Sequence, residues 1–124
     1  MRNKAVLIVD DERSIADTLA VILRTKGYET AVAYEGDSAL ALSSRVHPDL
    51  LLTDVVMPGM NGIELAIAMS EKYPECKVLL FSGQAATAEL LDRARNSGCN
   101  FPLLSKPIHP EDLLKIVTEI LNSS

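Results

Sequence analysis

Residues 5–12 read Ala5-Val6-Leu7-Ile8-Val9-Asp10-Asp11-Glu12, five apolar side chains in a row ended by three carboxylates. A strand covered on one face alternates apolar and polar residues. An uninterrupted apolar run suits a strand covered on both faces, the condition inside a parallel sheet. Leu50-Leu51-Leu52 repeats the pattern. Residues 5–9, 49–53, 77–81 and 103–105 are thus predicted as buried strands, and residues 29–34 as a fifth that alternates more. Helical spacing fills the gaps. Ile15, Leu19, Ile22 and Leu23 form one stripe, with Gly27 placed to stop the helix. Residues 37–46, 62–72 and 87–96 carry further stripes, and Leu113, Val117, Ile120 and Leu121 form a last one behind Pro110-Glu111-Asp112. Strand and helix alternate five times. The predicted fold is α/β, an open doubly wound five-stranded parallel sheet with helices on both faces; a barrel needs eight such units.

Composition narrows the function. The chain has 124 residues, the size of one domain, and 12 Lys+Arg against 17 Asp+Glu give a net charge of −5. Phosphate backbones call for clustered Lys and Arg, so direct nucleic-acid binding is not expected. Only 4% of residues are aromatic, too few for a base-stacking platform. The first apolar run is too short for a signal-peptide core or a membrane span. Cys76 and Cys99 do not make a disulfide framework, and they open the fourth and fifth strands, at the sheet end opposite the candidate site. These features predict a cytoplasmic protein with no membrane partner.

Ligands of open α/β sheets bind beyond the carboxyl ends of the strands. Asp10, Asp11 and Glu12 follow the first strand, Asp54 the third, Ser82-Gly83 the fourth and Lys106-Pro107 the fifth. The first turn has neither of the glycine patterns that cradle dinucleotides or nucleotide phosphates. Its carboxylates and Asp54 crowd negative charge into one crevice. Two like charges about 4 Å apart cost about 1 kcal/mol in water and about 4 kcal/mol at an effective dielectric of 20. Such a cluster needs raised pKa values or a bound cation, and hard carboxylate oxygens at a wet strand end suit Mg²⁺. With Lys106 opposite and a hydroxyl at Ser82, these groups form a site for a phosphoryl group, one carboxylate being free to act as nucleophile.

The motifs Val9-Asp10-Asp11-Glu12, then residues 54–62 (Asp54-Val55-Val56-Met57-Pro58-Gly59-Met60-Asn61-Gly62), then Ser82-Gly83 and Lys106-Pro107, in that order and each at a strand end, make the chain resemble the receiver domain of a two-component response regulator. The resemblance covers essentially the whole chain. It implies the strand order 2-1-3-4-5 and a single receiver over residues 1–124, with no output domain in this chain. Asp54 is then the phosphoacceptor for a phosphohistidine on a histidine kinase or phosphotransfer protein. Asp11, Asp54 and the backbone carbonyl of Val56 ligate Mg²⁺ (or Mn²⁺), with Asp10 acting through a water. Lys106 and the Ser82 hydroxyl hold phosphoryl oxygens, and amides near Val55 and Gly83 complete the cradle. Lys106-Pro107 is expected to be cis. The face made by the fourth helix, fifth strand and fifth helix then switches to control a downstream protein or a covalently linked output domain.

The chain departs from the family near its end. The family usually places Tyr or Phe three residues before the lysine, where this sequence has Leu103, and residues 98–106 are one longer than usual, leaving Phe101 as the nearby aromatic. Pro102 cannot donate to a sheet ladder, so a bulge or loop near Phe101-Pro102 is expected. Two other classes remain at this level: a Mg²⁺-dependent hydrolase working through an aspartyl phosphate, and a degenerate binding module that is not phosphorylated. Against the first, no Asp-x-Asp nucleophile motif follows the first strand; against the second, folding does not require Asp10, Asp11, Asp54 and Lys106 together. His47 and His109 each precede a proline and read as loop and helix-start residues, not as ligands.

Overall fold

The structure, a computed structural model, describes residues 3–83, 87–96, 98 and 100–122; Cys99 lies outside them. Its elements run β1 (Ala5–Val9), α1 (Arg13–Arg24), β2 (Glu29–Ala33), α2 (Gly36–Val46), β3 (Leu50–Asp54), α3 (Gly62–Lys72), β4 (Lys77–Ser82), α4 (Thr87–Asn96), β5 (Leu103–Ser105) and α5 (Pro110–Asn122). All strand pairs are parallel, in the order β2-β1-β3-β4-β5.

The apolar runs are continuous because each strand serves two cores. On one face Leu7, Val9, Leu51, Val78 and Leu80 meet Ala39 of α2, Ile63, Ala66 and Met69 of α3 and Ala94 of α4. On the other, Val6, Ile8, Leu50, Leu52, Leu79 and Phe81 meet Ala16, Leu19, Ala20 and Leu23 of α1 and Leu113 and Val117 of α5. Alternate side chains of one strand point to opposite faces, so a run buried throughout implies helices on both sides.

Element ends fix what reaches the site. Asp54 and Ser82, expected just past their strands, are the last residues of β3 and β4, kept in the sheet opposite Phe81 and Ser105. Asn61 caps α3: its Oδ1 accepts from the Glu64 N–H at 2.9 Å while Glu64 Oε1 accepts from the Asn61 N–H at 2.9 Å. That reciprocal box ends the turn after β3 in a fixed place. Gly27 lies three residues past α1 with φ 87, a conformation that costs glycine nothing. Before β5, Pro102 lies outside the strand and its carbonyl accepts from the Leu80 N–H at 2.9 Å. Phe101 and Pro102 thus form the expected loop, leading into a three-residue strand.

Candidate phosphoryl and metal site

Asp10 follows β1 directly and is fully buried. One oxygen accepts from the Glu12 N–H at 2.9 Å, and the other lies 3.4 Å from the Lys106 ammonium. Burial, reinforced by the charge of Asp54, pushes its pKa up to about 6 despite that N–H and the lysine. Asp54 is also buried, and burial raises its pKa against the opposing pull of Lys106, 3.4 Å from its Oδ2. Its Oδ1 is buried with no hydrogen-bond partner. Asp11 is exposed at the rim.

Ligand atoms of Asp10, Asp11 and Asp54 all lie within 4.8 Å of one another. An orphaned buried carboxylate oxygen is costly unless something positive meets it. Three carboxylates at this spacing with one orphan fit a hard divalent cation, so these residues could hold a metal ion.

Lys106 is the counter-charge. Burial pulls its pKa down, but Asp54 and Asp10 outweigh that and hold it above the usual value. Its backbone N–H donates to the Ser82 carbonyl at 3.2 Å, its ammonium lies 5.2 Å from the Phe81 ring centroid, and the Lys106-Pro107 bond is cis. Ser82 is buried at the end of β4, and Gly83 is close enough that a β-carbon there would stand 3.2 Å from the Lys106 Cβ. The Val55 N–H donates to the Phe81 carbonyl at 3.2 Å, and Val56 is half-buried in the loop after β3.

The structure thus gathers Asp10, Asp11, Asp54, Ser82, Gly83 and Lys106 at one end of the sheet. Leu103 is 38% exposed on β5. Phe101 is not on a strand at all; it packs against the same core as Leu90 and Leu91 of α4. His47 ends α2 with φ 51 at the opposite end of the sheet, edge-on to Tyr73, and the His109 carbonyl accepts from the Leu113 N–H at the start of α5. Cys76 is buried, its thiol pushed up to about 11 mainly by burial.

One residue of the site has a role that the sequence did not disclose. Asn61-Gly62 reads as a turn dipeptide, yet Gly62 opens α3 against the strand end: any β-carbon there would collide with the Asp54 carbonyl oxygen, and the Gly62 N–H donates to the Val55 carbonyl at 2.8 Å. A glycine as the first residue of a capped helix was the available signal.

Among the described residues, no helix is long and apolar enough to cross a membrane. The sequence model of the response regulator receiver domain matches residues 6–118. Among curated proteins, the chain is 40% identical over 102 residues to a response regulator receiver protein of Anaeromyxobacter sp. (strain Fw109-5), covering 82% of this chain and 42% of that protein. It is 29% identical over 109 residues to the DNA-binding response regulator MtrA of Mycolicibacterium paratuberculosis (strain ATCC BAA-968 / K-10), covering 88% and 47% respectively. The chain thus spans about half the length of these relatives. Among solved structures it is similar to a CheY-like receiver domain protein of Methanospirillum hungatei JF-1, with TM-score 0.87 and 31% identity over 98% of this chain and 95% of that one. It is also similar to the receiver domain of NtrX from Brucella abortus, with TM-score 0.83 and 31% identity over 96% and 99%. With the strand order, the acidic crevice and a family match over residues 6–118 in agreement, the chain belongs to the response regulator receiver domain family.

Proposed function

We propose that Asp54 accepts a phosphoryl group from a phosphohistidine on a sensor kinase or phosphotransfer protein. The observation that carries this reading is the pair of buried carboxylates bridged by one ammonium, Lys106 standing 3.4 Å from both Asp10 and Asp54. In the transfer a carboxylate oxygen of Asp54 forms the new O–P bond in line as the P–N bond breaks. The bonding pair leaves with the imidazole nitrogen: a ring already protonated on its other nitrogen departs as neutral imidazole, and otherwise the departing nitrogen takes a proton from water. Such a transfer needs positioning and charge neutralisation more than acid–base chemistry.

The chain's residues divide that work. β3 and Gly62 hold Asp54 at the strand end. Lys106 pairs with a phosphoryl oxygen, and the Ser82 hydroxyl and the amides near Val55 and Gly83 donate to the others. Asp11, Asp54 and the Val56 carbonyl would hold Mg²⁺ or Mn²⁺, with Asp10 acting through a water, and the bound ion would neutralise part of the charge on the transferring group. The added phosphoryl carries about two negative charges, enough to bias the face formed by α4, β5 and α5 between two states that a downstream protein or linked domain reads. With Leu103 on β5, that switch runs without an aromatic side chain at this position.

The reading makes the chain a phosphoacceptor of one-time transfer, located in the cytoplasm with its kinase, and not a hydrolase of free phosphate esters. Incubation with a phosphorylated histidine donor and Mg²⁺ tests it: acid-stable label is absent, hydroxylamine-sensitive label appears on the wild type, and Asp54→Asn takes up none. Equal labelling of that variant overturns the assignment.

A further inference from the structure

Arg13 is the first residue of α1, the helix end where aligned peptide dipoles disfavour a cation, and no acidic side chain stands in that first turn to offset it. Its guanidinium carbon lies 4.2 Å from the centroid of the Tyr34 ring, over its face. The ring is itself tethered: the Tyr34 hydroxyl donates to Asp17 Oδ1 at 2.7 Å. Asp11, Arg13, Tyr34, Glu35 and Ser38 line one cleft of about 650 Å³ beside the acidic site. Lys106 pairs with Asp10 and Asp54, whereas Asp11 makes no ion pair or hydrogen bond among the described residues.

The exposed member of the cation site therefore shares a cleft with an arginine two residues away. An arginine free to swing in that cleft finds a carboxylate to pair with, and each such pairing competes with a dication for the same oxygens. Stacking on an aromatic face and pairing with an exposed carboxylate are interactions of similar strength. A modest bias toward the ring is thus enough to decide where the guanidinium rests.

We propose that Tyr34 is a positioning residue that stacks Arg13 away from Asp11 and so keeps that carboxylate open for the metal ion. The inference rests on the reading of Asp10, Asp11 and Asp54 as a cation site. Tyr34 touches neither the ion nor the phosphoryl group; it acts through Arg13, and Asp17 acts through Tyr34. A phenyl ring suffices for the stack, so the hydroxyl tunes the arrangement without creating it.

Isothermal titration of the full chain with Mg²⁺ alone separates the two roles. Tyr34→Leu, which keeps apolar volume but removes the ring face, weakens binding about two- to fivefold, the range of an exposed ion pair. Tyr34→Phe binds as the wild type does. Arg13→Ala binds at least as tightly as the wild type, and the Arg13→Ala/Tyr34→Leu double variant returns to the Arg13→Ala value, because the loss runs through the guanidinium. Unchanged affinity in Tyr34→Leu, or a loss that persists in the double variant, overturns the positioning role and leaves the cation site standing. A wild type that binds no Mg²⁺ overturns both.

Discussion

The ammonium of Lys106 stands 3.4 Å from Asp54 Oδ2, at the same distance as from Asp10 Oδ2, while Asp54 Oδ1 is left without a partner. One lysine thus offsets part of the charge of two buried carboxylates and leaves the remainder for a cation.

Lys106 and a divalent cation repel each other across the carboxylates they share. Lys106→Met removes that repulsion, so Mg²⁺ binds more tightly, by at least about tenfold: two unit charges about 4 Å apart at an effective dielectric of about 20 repel by about 4 kcal/mol, and about 1.4 kcal/mol is tenfold in affinity. Titration calorimetry at pH 8, where protons compete least, reads the difference. The same variant loses the donor for a phosphoryl oxygen, so tighter metal binding comes with slower phosphorylation from a small phosphodonor. Weaker metal binding in Lys106→Met contradicts the arrangement.

The raised pKa of Asp10 makes stability fall with pH in the metal-free protein. The folded state keeps this proton up to about pH 6, whereas an unfolded aspartate gives it up near 3.8. Between those values the folded state binds more protons, so stability is greatest below about pH 4 with respect to this group and declines as pH rises through 6. The full effect is at most about 3 kcal/mol, since one pKa unit corresponds to 1.36 kcal/mol. Urea unfolding across pH 4 to 7 measures it. Asp10→Asn flattens the decline, and saturating Mg²⁺ at pH 7 restores stability to the wild type far more than to that variant.

Gly62 seats the helix after the phosphoacceptor. Gly62→Ala drives a methyl group into the Asp54 carbonyl, a backbone atom that cannot swing aside. Chemical denaturation should show a loss of about 1–3 kcal/mol, the range of overpacking in a close contact. Because Asp54 itself is displaced, Mg²⁺ affinity falls as well. Asn61→Ala, which removes the helix cap without a collision, costs about 1 kcal/mol and leaves metal affinity close to the wild-type value.

Most of the architecture was legible because the two-face burial of a parallel sheet writes itself as unbroken apolar runs, and residues 6–9 and 50–52 are such runs. The site was legible for a related reason: charges placed directly after such a run, as Asp10 and Asp11 are, have only the sheet end to occupy, and Lys106 follows the short strand Leu103–Ser105 to the same end. Contacts made through space between distant residues were not. The seat of Gly62 under Asp54 and the stack of Arg13 on Tyr34 depend on how α3 and β2 come to rest, which no local spacing encodes. The lead-in to β5 was half legible. Pro102 announced an irregularity, but only the packed structure shows Phe101 spent on the core beside α4 and Leu103 left exposed on the strand.

Intact-mass spectrometry after incubation with acetyl phosphate and Mg²⁺ tests the central claim most directly. The wild type should gain the mass of one phosphoryl group, lose it on treatment with hydroxylamine, and show none when EDTA replaces Mg²⁺, while Asp54→Asn gains none under any condition. A phosphoryl adduct on Asp54→Asn, or a wild type that is phosphorylated equally well in EDTA, would contradict the account.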